Sequence, residues 1–312
     1  MRSLISKLFI IVFAWYGGKI RFAMRLLGLV PKCHVWCEPY MGSAALTLNH
    51  IRCNREILND TDYGLVCFFK TLQDKRAGKE LIEQIKSMNC SEEEFEAAKS
   101  FKESWDKNQE GKKPQYISVE RALCEFILIT QSFNNTRNSY SKKNLKNVQG
   151  FRKRSVRNLT RAQERLENVE IRHGNALDVI RELKDNEDAF LFLDPPYEHD
   201  KRNASAIRAY GEGNEMSQKA HRELVELIKD AKCKIILSGY RFDDVTEQTL
   251  YDRYLLPYGW KCYKLADTKK TAAPSKNGKK PPAKEFIWVN YTMSDFAGRC
   301  ISLREYGAVK GD

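Results

Sequence analysis

An acid, two prolines and a tyrosine follow an apolar run, and this combination suits the binding of an amine. Residues 189–193 have the composition of a buried strand, and Asp194, Pro195, Pro196 and Tyr197 come directly after them. Each proline fixes φ at about −65° and restricts the residue before it, so the Asp194 carboxylate and nearby carbonyl oxygens are aimed in advance. Two fixed acceptors suit a donor with two hydrogens, such as the exocyclic amine of a nucleobase, and Tyr197 could stack on that base. Accepting both hydrogen bonds would localise the nitrogen lone pair and direct it at an electrophile.

A second group of residues lies in the first strand–turn–helix segment and suits a nucleoside. Residues 35–37 predict a strand that runs into a turn at 38–43, residues 44–50 predict a helix, and residues 56–58 predict a second strand that ends at Asp60. A glycine in the turn permits close backbone approach to a ligand, and an acid after the second strand commonly holds ribose hydroxyls. The G-x-G-x-x-G fingerprint is missing, which favours a nucleoside without phosphate, such as S-adenosylmethionine, over a dinucleotide.

The rest of the chain alternates strand and helix patterns on either side of a charged segment. Further strands are predicted at 169–171, 189–193, 234–238 and 285–291, and helices at 20–30, 62–72, 177–183 and 217–231. This alternation is typical of an α/β domain with a largely parallel sheet, whose ligands bind beyond the carboxyl ends of the strands. Residues 268–284, rich in Lys, Pro, Gly and Ala, predict a mobile loop.

The segment from residue 75 to 165 is predicted to be helical, and its second half is strongly basic. Between Arg137 and Arg165 ten basic residues face one acid, and aromatic and asparagine side chains are interleaved with them. This mixture suits contacts with phosphates and base edges, and the net charge of +12 also indicates a polyanionic partner. The candidate nucleic-acid contacts are Asn134, Arg137, Lys142, Lys143, Arg152, Lys153, Arg154 and Arg157.

The N-terminal segment imitates a signal peptide, but its context argues against one. Basic residues precede the apolar run at 8–14, yet no small-residue cleavage pattern follows it. The run is also far shorter than the roughly 20 residues that span a bilayer. The nine cysteines are scattered and lack the spacing of a zinc site, which is typical of small buried side chains in a reducing cytosol. We predict a cytoplasmic protein with no membrane partner and no metal.

Four segments, in order, resemble the Dam-like family of adenine-N6 DNA methyltransferases, in which cofactor motifs precede a target-recognition segment and D-P-P-Y follows it. They are FAWYGGKIRFA, CEPYMGSAAL, ILNDTD and FLDPPY, and ILSGY and KEFIWVNY resemble later family segments. The resemblance implies a Rossmann-like methyltransferase fold of the α/β class with a mainly helical insertion. It also implies transfer of a methyl group from S-adenosylmethionine to N6 of an adenine flipped out of double-stranded DNA.

The resemblance further implies roles for individual residues and domains. Residues 194–197 form the catalytic motif. The cofactor-binding residues are Trp15, Tyr16, Lys19, Glu38, Pro39, Gly42, Ser43, Asp60, Asn175 and Asp194. Residues 1–74 and 166–295 form the catalytic domain, 75–165 form the target-recognition insertion, and the role of the tail at 296–312 is unknown. The stretch after TQSFNNTRNSYS lacks the aromatic, valine and proline pattern of GATC-recognising members, so the target sequence stays open.

Several alternatives remain compatible with the sequence. Cytosine-N4 methylation uses the same amine chemistry, although a serine more often replaces the first acid there. RNA adenine methylation is also compatible, because a basic insertion attracts either polymer. A catalytically silent DNA-binding regulator on the same fold is the alternative of another class, and the intact motif at 194–197 argues against it. A restriction endonuclease acting on the same site as a partner, a viral origin, a regulatory role and the oligomeric state all stay open.

Overall fold

The computed structural model describes residues 9–15, 17–145, 147–196, 216–241, 249–269, 282–293 and 305–306. The chain divides into two compact units. Unit 1 comprises residues 1–20, 42–50 and 60–173, and unit 2 comprises residues 21–41, 51–59 and 174–312. Residues 60–74, assigned from the sequence to the catalytic domain, thus cluster with the helical segment.

The described residues contain eight strands and nine α-helices. The strands are β1 (Val35–Glu38), β2 (Arg55–Asp60), β3 (Glu170–His173), β4 (Ala189–Leu193), β5 (Lys234–Tyr240), β6 (Lys261–Lys269), β7 (Pro282–Val289) and β8 (Glu305–Tyr306). The helices are α1 (Ala23–Leu27), α2 (Tyr63–Gln73), α3 (Lys75–Ser87), α4 (Glu92–Gln109), α5 (Val119–Gln131), α6 (Val148–Leu166), α7 (Ala176–Leu183), α8 (Gln218–Ile228) and α9 (Leu250–Leu255).

Unit 1 is built from helices α2 to α6 and the short strand β3. Each of these helices begins at a residue whose side chain accepts a backbone N–H of the first turn, which satisfies a donor that the helix itself cannot pair. These capping residues are Asp62, Asp74, Ser91, Ser118 and Asn147. The core between α2 and α5 is aromatic, with the Phe68 and Phe126 rings stacked at 6.0 Å.

The apolar N-terminal run contributes to the core of unit 1. Ile10, Val12 and Phe13 are buried, and the Phe13 ring meets the edge of Phe68 at 5.2 Å. The Asn49 side chain exchanges hydrogen bonds with the Ile10 backbone, donating to its carbonyl oxygen at 2.9 Å and accepting from its N–H at 2.8 Å. The described part of this run therefore packs inside the folded unit.

Unit 2 contains a sheet in the order β2-β1-β4-β5-β7-β6-β8. The first four strands are parallel neighbours, and β7 runs antiparallel between β5 and β6. Because β1 pairs with β2 on one side and with β4 on the other, the direction of winding reverses at β1. In open α/β sheets, such a reversal creates the crevice in which ligands bind.

The core of unit 2 lies on both faces of this sheet. On one face, Leu191 and Leu193 of β4 belong to a buried cluster that also contains apolar side chains of α7, α8 and α9. On the other face, the rings of Trp36 and Phe190 stack at 5.3 Å. Alternate residues of β4 thus point to opposite faces, and all five are buried, as expected for a central strand covered on both sides. Truncating a core aromatic of this kind to alanine costs about 3–5 kcal/mol.

Most elements predicted from the sequence are confirmed, and three predictions are wrong. The predicted helix at 44–50 is a turn with a single 3-10 segment at Thr47–Asn49, because Ala44 has a left-handed φ of 51°. The predicted helix at 20–30 shortens to α1, which follows a 3-10 turn. The predicted loop at 268–284 is wrong at both ends, since Lys269 pairs with Pro282 in the β6–β7 ladder. Residues 270–281 lie outside the described part of the chain.

Among the described residues, no helix combines the length and apolar composition that crossing a bilayer requires. Of the eight described cysteines, six are buried, in keeping with the prediction of small core side chains. Cys33 and Cys53 are half-buried, and their Sγ atoms lie 3.4 Å apart.

Candidate active site

The carboxyl ends of β1 and β4 bring two acids of unit 2 to the same edge of the sheet. Cys37 of β1 is in register with Leu191 of β4, so Glu38 ends β1 beside the last residues of β4. Asp194 follows β4 directly, and its neighbour Pro195 is buried. Glu38 is only 3% exposed, whereas Asp194 is half-buried. This edge is the predicted position of the site, at the point where the sheet reverses its winding.

The two prolines of the predicted catalytic motif leave the sheet at this edge. Pro195 is buried and Pro196 is half-buried, and neither belongs to a strand. Since neither has a backbone N–H, the ladder cannot continue through them, which separates Asp194 from the core strand. Tyr197, the last residue of the motif, lies outside the described residues.

Asn59, which sequence reasoning did not select, holds three turns of unit 2 together. Its side-chain amide is buried and donates to the carbonyl oxygens of Pro39 and Gly174, each at 3.0 Å. In the other direction, the Asn59 carbonyl oxygen accepts from Met41 N–H at 2.9 Å. The turn after β1 is thus fixed to the end of β2 and to the turn before α7. The sequence signal that could have indicated Asn59 is its position beside Asp60 at the end of a predicted strand.

Asp60 accepts two backbone hydrogen bonds within unit 1. Its Oδ2 accepts from Gly42 N–H at 3.1 Å, and its Oδ1 accepts from Asp62 N–H at 3.0 Å. Burial and the nearby Asp62 carboxylate raise the pKa of Asp60 to about 6, against an ordinary value of 3.8. Each oxygen keeps a lone pair for a further donor, such as a hydroxyl of a ribose.

Gly42 and Trp15 lie in close contact. Gly42 has φ +45°, and a Cβ built on it would come within 2.9 Å of Trp15 Cδ1. Glycine is therefore required here both for the left-handed backbone and for the approach of the indole. The two predicted cofactor segments around residues 15 and 42 thus meet within unit 1.

The remaining predicted cofactor residues have separate environments. Lys19 is buried and its Nζ donates to the Gly17 carbonyl oxygen at 3.0 Å, while Ser43 is buried in the same unit. In unit 2, the Asn175 side chain accepts from Leu177 N–H at 2.9 Å and thereby caps α7. This capping bond accounts for Asn175 without any ligand. Tyr16 lies outside the described residues.

Arg137 is embedded among acids, unlike the other predicted DNA contacts. Its guanidinium forms ion pairs at 2.7 Å with Asp62 and at 2.7 Å with Glu125, and it lies over the Trp15 ring at 4.9 Å. The side chain is 15% exposed. Burial alone would raise the pKa of Asp62, but Arg137 and the hydrogen bond from Leu65 N–H hold that pKa below its ordinary value. The predicted phosphate contact is therefore not supported for Arg137, because its guanidinium already pairs with two carboxylates.

Helix α6 carries three of the predicted DNA contacts on one face. Its buried residues, Ser155, Asn158, Leu159 and Ala162, follow the three-and-four spacing of a helix packed on one side. Lys153, Arg154 and Arg157 are exposed, and no ion pair within the described ranges involves them. The exposed face of α6 is therefore a positively charged surface.

The other four predicted contacts differ in exposure or are only partly described. Arg152 is half-buried, whereas Lys142 and Asn134 are exposed. The side chain of Lys143 is not among those that the structure describes. The basic segment is thus partly a charged surface and, at Arg137, partly a buried network.

Each unit contains a polar group that can accept a hydrogen bond from a ligand. Asp60 has free acceptor capacity, and the Oδ1 atom of Asn59 is buried with no hydrogen-bond partner among the described residues. A buried acceptor without a partner is costly, so a donor on a bound ligand would be favourable there. Within each unit, a carboxylate at the end of a strand suits a cation or a hydroxyl donor better than it suits a phosphate.

Comparison with known proteins identifies a family for this chain. The family model of D12 class N6 adenine-specific DNA methyltransferases matches residues 15–265, which is most of the chain. Among curated proteins, none matches the chain significantly.

Proposed function

Because the chain belongs to the D12 class of N6 adenine-specific DNA methyltransferases, we propose S-adenosylmethionine as its methyl donor and adenine flipped out of double-stranded DNA as its acceptor. Membership of this class identifies the reaction as methylation of adenine at N6. The observation that carries the choice of donor is Asp60, a half-buried acid at the end of β2 with acceptor capacity left on both oxygens. An acid in this position suits ribose hydroxyls.

Different cofactor residues would bind different parts of the donor. Asp60 would accept from the ribose, and Trp15 offers an aromatic face next to the Gly42 turn. Glu38, at the end of β1, would attract the positive sulfonium and ammonium groups, while Pro39 and Ser43 shape the turn. When bound, the donor supplies a methyl group on a sulfonium, which is both electrophile and leaving group. No metal is required for that chemistry.

Asp194 would act on the acceptor. Its carboxylate and a neighbouring backbone carbonyl oxygen would accept the two N6 hydrogens of adenine and orient the nitrogen lone pair. The half-buried position of Asp194 beyond β4 supports this role, because a flipped base can reach it. The proton leaves after transfer, either to solvent or through Asp194. Tyr197 would stack on the base.

The exposed face of α6 would contact the phosphates of DNA. Lys153, Arg154 and Arg157 are free of ion pairs within the described ranges, and neutralising phosphates with such residues releases counterions. The family match favours adenine N6 over cytosine N4. An RNA acceptor, a restriction endonuclease as partner and a cytoplasmic location stay predictions.

Calorimetric titration with S-adenosylhomocysteine tests the assignment of the donor. The wild-type protein should bind this product, and Asp60→Ala should weaken binding about 10- to 100-fold, the usual effect of losing hydrogen bonds to a charged group. Asp230→Ala, which removes an exposed acid, is the matched control and should bind normally. Equal affinities for the wild type and Asp60→Ala would refute the assignment of Asp60.

A further inference from the structure

The loop that follows α5 is held in an unusual backbone conformation. Asn134, Asn135 and Arg137 all have positive φ, at 52°, 59° and 64°. A bridge between Ser132 and Tyr140 closes the loop, and Ser132 Oγ accepts from Arg137 N–H at 2.8 Å. A positive φ in an arginine costs free energy. We therefore expect contacts of the Arg137 side chain to stabilise this backbone conformation.

Those contacts connect Arg137 to the residues of the proposed cofactor site. Asp62 receives an Arg137 Nη1 hydrogen bond at 2.7 Å, and Asp62 N–H is one of the two donors to the Asp60 carboxylate. The guanidinium also lies over the Trp15 indole, which in turn packs against Gly42. One arginine therefore touches two of the segments that would surround the ribose and the adenine of the donor.

Glu125 fixes the position of this arginine from the other side. Its side chain is fully buried and forms ion pairs with Arg121 and Arg137, at 2.9 Å and 2.7 Å. Breaking a buried ion pair is costly, so Glu125 favours this position of the Arg137 guanidinium. The Nη2 atom of Arg137 is buried with no hydrogen-bond partner among the described residues. That nitrogen can donate to an acceptor on a bound ligand.

We infer that Arg137 is a positioning residue of the cofactor site, although it lies in the basic segment of the sequence. It holds Trp15 and the Asp60–Asp62 turn in place through stacking and ion pairing. This inference rests on the proposed function, since it assigns a role at the same donor site. Arg137 would thus have a different role from Lys153, Arg154 and Arg157, whose side chains are exposed on α6.

Two measurements on Arg137→Met test this role. The first is the affinity for S-adenosylhomocysteine, which should fall at least about tenfold, as for the loss of one well-placed interaction. The second is the slope of log K against log salt for binding to a DNA duplex. That slope should stay at the wild-type value, since an arginine already paired with two carboxylates neutralises no phosphate. Lys153→Ala/Arg154→Ala/Arg157→Ala should show the reverse pattern, with normal cofactor affinity and a shallower slope.

A pH readout separates positioning from general loss of structure. The positive charge of Arg137 lowers the pKa of Asp60, in opposition to burial and Asp62. In Arg137→Met the pH midpoint of cofactor affinity should therefore move to higher pH. Arg137→Lys keeps the charge and should restore the wild-type midpoint. A merely less stable protein would keep its midpoint unchanged.

A double variant keeps the test decisive if Arg137→Met does not fold. Arg137→Met/Glu125→Gln removes both charges of one buried pair and leaves Arg121 with Asp106 as an acidic neighbour. Its cofactor affinity should also be reduced. A folded Arg137 variant with normal cofactor affinity and a shallower salt slope would overturn the inference. Such a result would indicate that Arg137 contacts DNA. If the wild-type protein fails to bind S-adenosylhomocysteine, the proposed donor fails instead.

Discussion

At the residue scale, two acids that lie two positions apart have opposite electrostatic environments. Asp60 has its pKa raised by burial and by Asp62, whereas Asp62 has its pKa lowered in spite of burial, because Arg137 lies beside it. The two side chains also have different partners: Asp62 pairs with an arginine, and Asp60 accepts only backbone N–H groups within the described residues. Of these two acids, Asp60 is thus the one with acceptor capacity left for the proposed donor.

The pKa of Asp60 leads to a prediction about pH. A ribose hydroxyl donates better to an ionised carboxylate, so cofactor affinity should be full above pH 7 and should fall as the pH drops through about 6. The folded-state pKa is raised above 3.8, so ionisation of this group lowers the free energy of unfolding as the pH rises from 3.8 to about 6. Calorimetric titrations between pH 5 and pH 8 measure the first effect.

Asp60→Asn is the control for this pH dependence. Asparagine still accepts hydrogen bonds but does not titrate, so the affinity of this variant should be lower and nearly independent of pH over that interval. If Asp60→Asn retains the wild-type pH profile, another group is responsible for it.

Asp194 gives the second prediction at this scale. Asp194→Ala should reduce kcat for methyl transfer by about 10³-fold, because one of the two acceptors for the adenine amine is removed. Binding of S-adenosylhomocysteine should change little. Asp188→Ala removes an exposed acid next to the other end of β4 and should leave kcat unchanged. A normal rate for Asp194→Ala in single-turnover assays would exclude its proposed role.

At the element scale, the sequence predicts the parallel part of the sheet well. The strands β1, β2, β4 and β5 consist of short apolar runs bounded by polar turns, a pattern that depends on local composition alone. Their carboxyl ends place Glu38 and Asp194 at one edge, so this part of the candidate site follows from the strand pattern. The strand β6 was missed because it contains several charged and polar residues, and the ladder with β7 determines it.

Contacts between residues distant in the sequence explain what the sequence could not predict at the site. Arg137 is 75 positions from Asp62, and no local pattern distinguishes it from the lysines and arginines that follow it. Asn59 similarly gains its role from Gly174, at a separation of 115 positions. Composition predicts a basic DNA-binding segment. Within that segment, the structure distinguishes Arg137, which pairs with acids, from the basic residues that face solvent.

The basic face of α6 gives a prediction at this scale. Lys153→Ala/Arg154→Ala/Arg157→Ala should weaken binding to duplex DNA and reduce the slope of log K against log salt by about 0.9 for each phosphate that the variant no longer neutralises. Arg76→Ala/Lys79→Ala/Lys112→Ala removes the same charge from exposed positions of unit 1 outside α6. Fluorescence anisotropy at several salt concentrations measures both. Equal slopes for the two triple variants would show that only net charge matters.

At the scale of the whole molecule, the net charge of +12 favours any polyanion, and the local surfaces decide how DNA is held. The helical unit carries both the exposed cations of α6 and the buried network around Arg137. The sheet unit carries the acids at the ends of β1 and β4. In the proposed function, DNA and the donor are therefore bound by different residues, which the variants above distinguish.

Cofactor binding should also stabilise the folded protein as a whole. A ligand that binds only the native state at 100 times its Kd adds about 2.7 kcal/mol to the free energy of unfolding. S-adenosylhomocysteine should therefore raise Tm, and the rise should be much smaller for Asp60→Ala at the same concentration. Scanning calorimetry measures both. An equal rise in the two proteins would place the ligand away from Asp60.

Identification of the methylated base tests the central claim most directly. The purified protein is incubated with methyl-labelled S-adenosylmethionine and unmethylated duplex DNA, and the digested product is analysed by mass spectrometry, with an RNA of the same sequence in a parallel reaction. We expect label in N6-methyladenine from the duplex, and none with Asp194→Ala. Label in N4-methylcytosine or only in RNA, or salt-sensitive DNA binding without any transfer, would contradict the account.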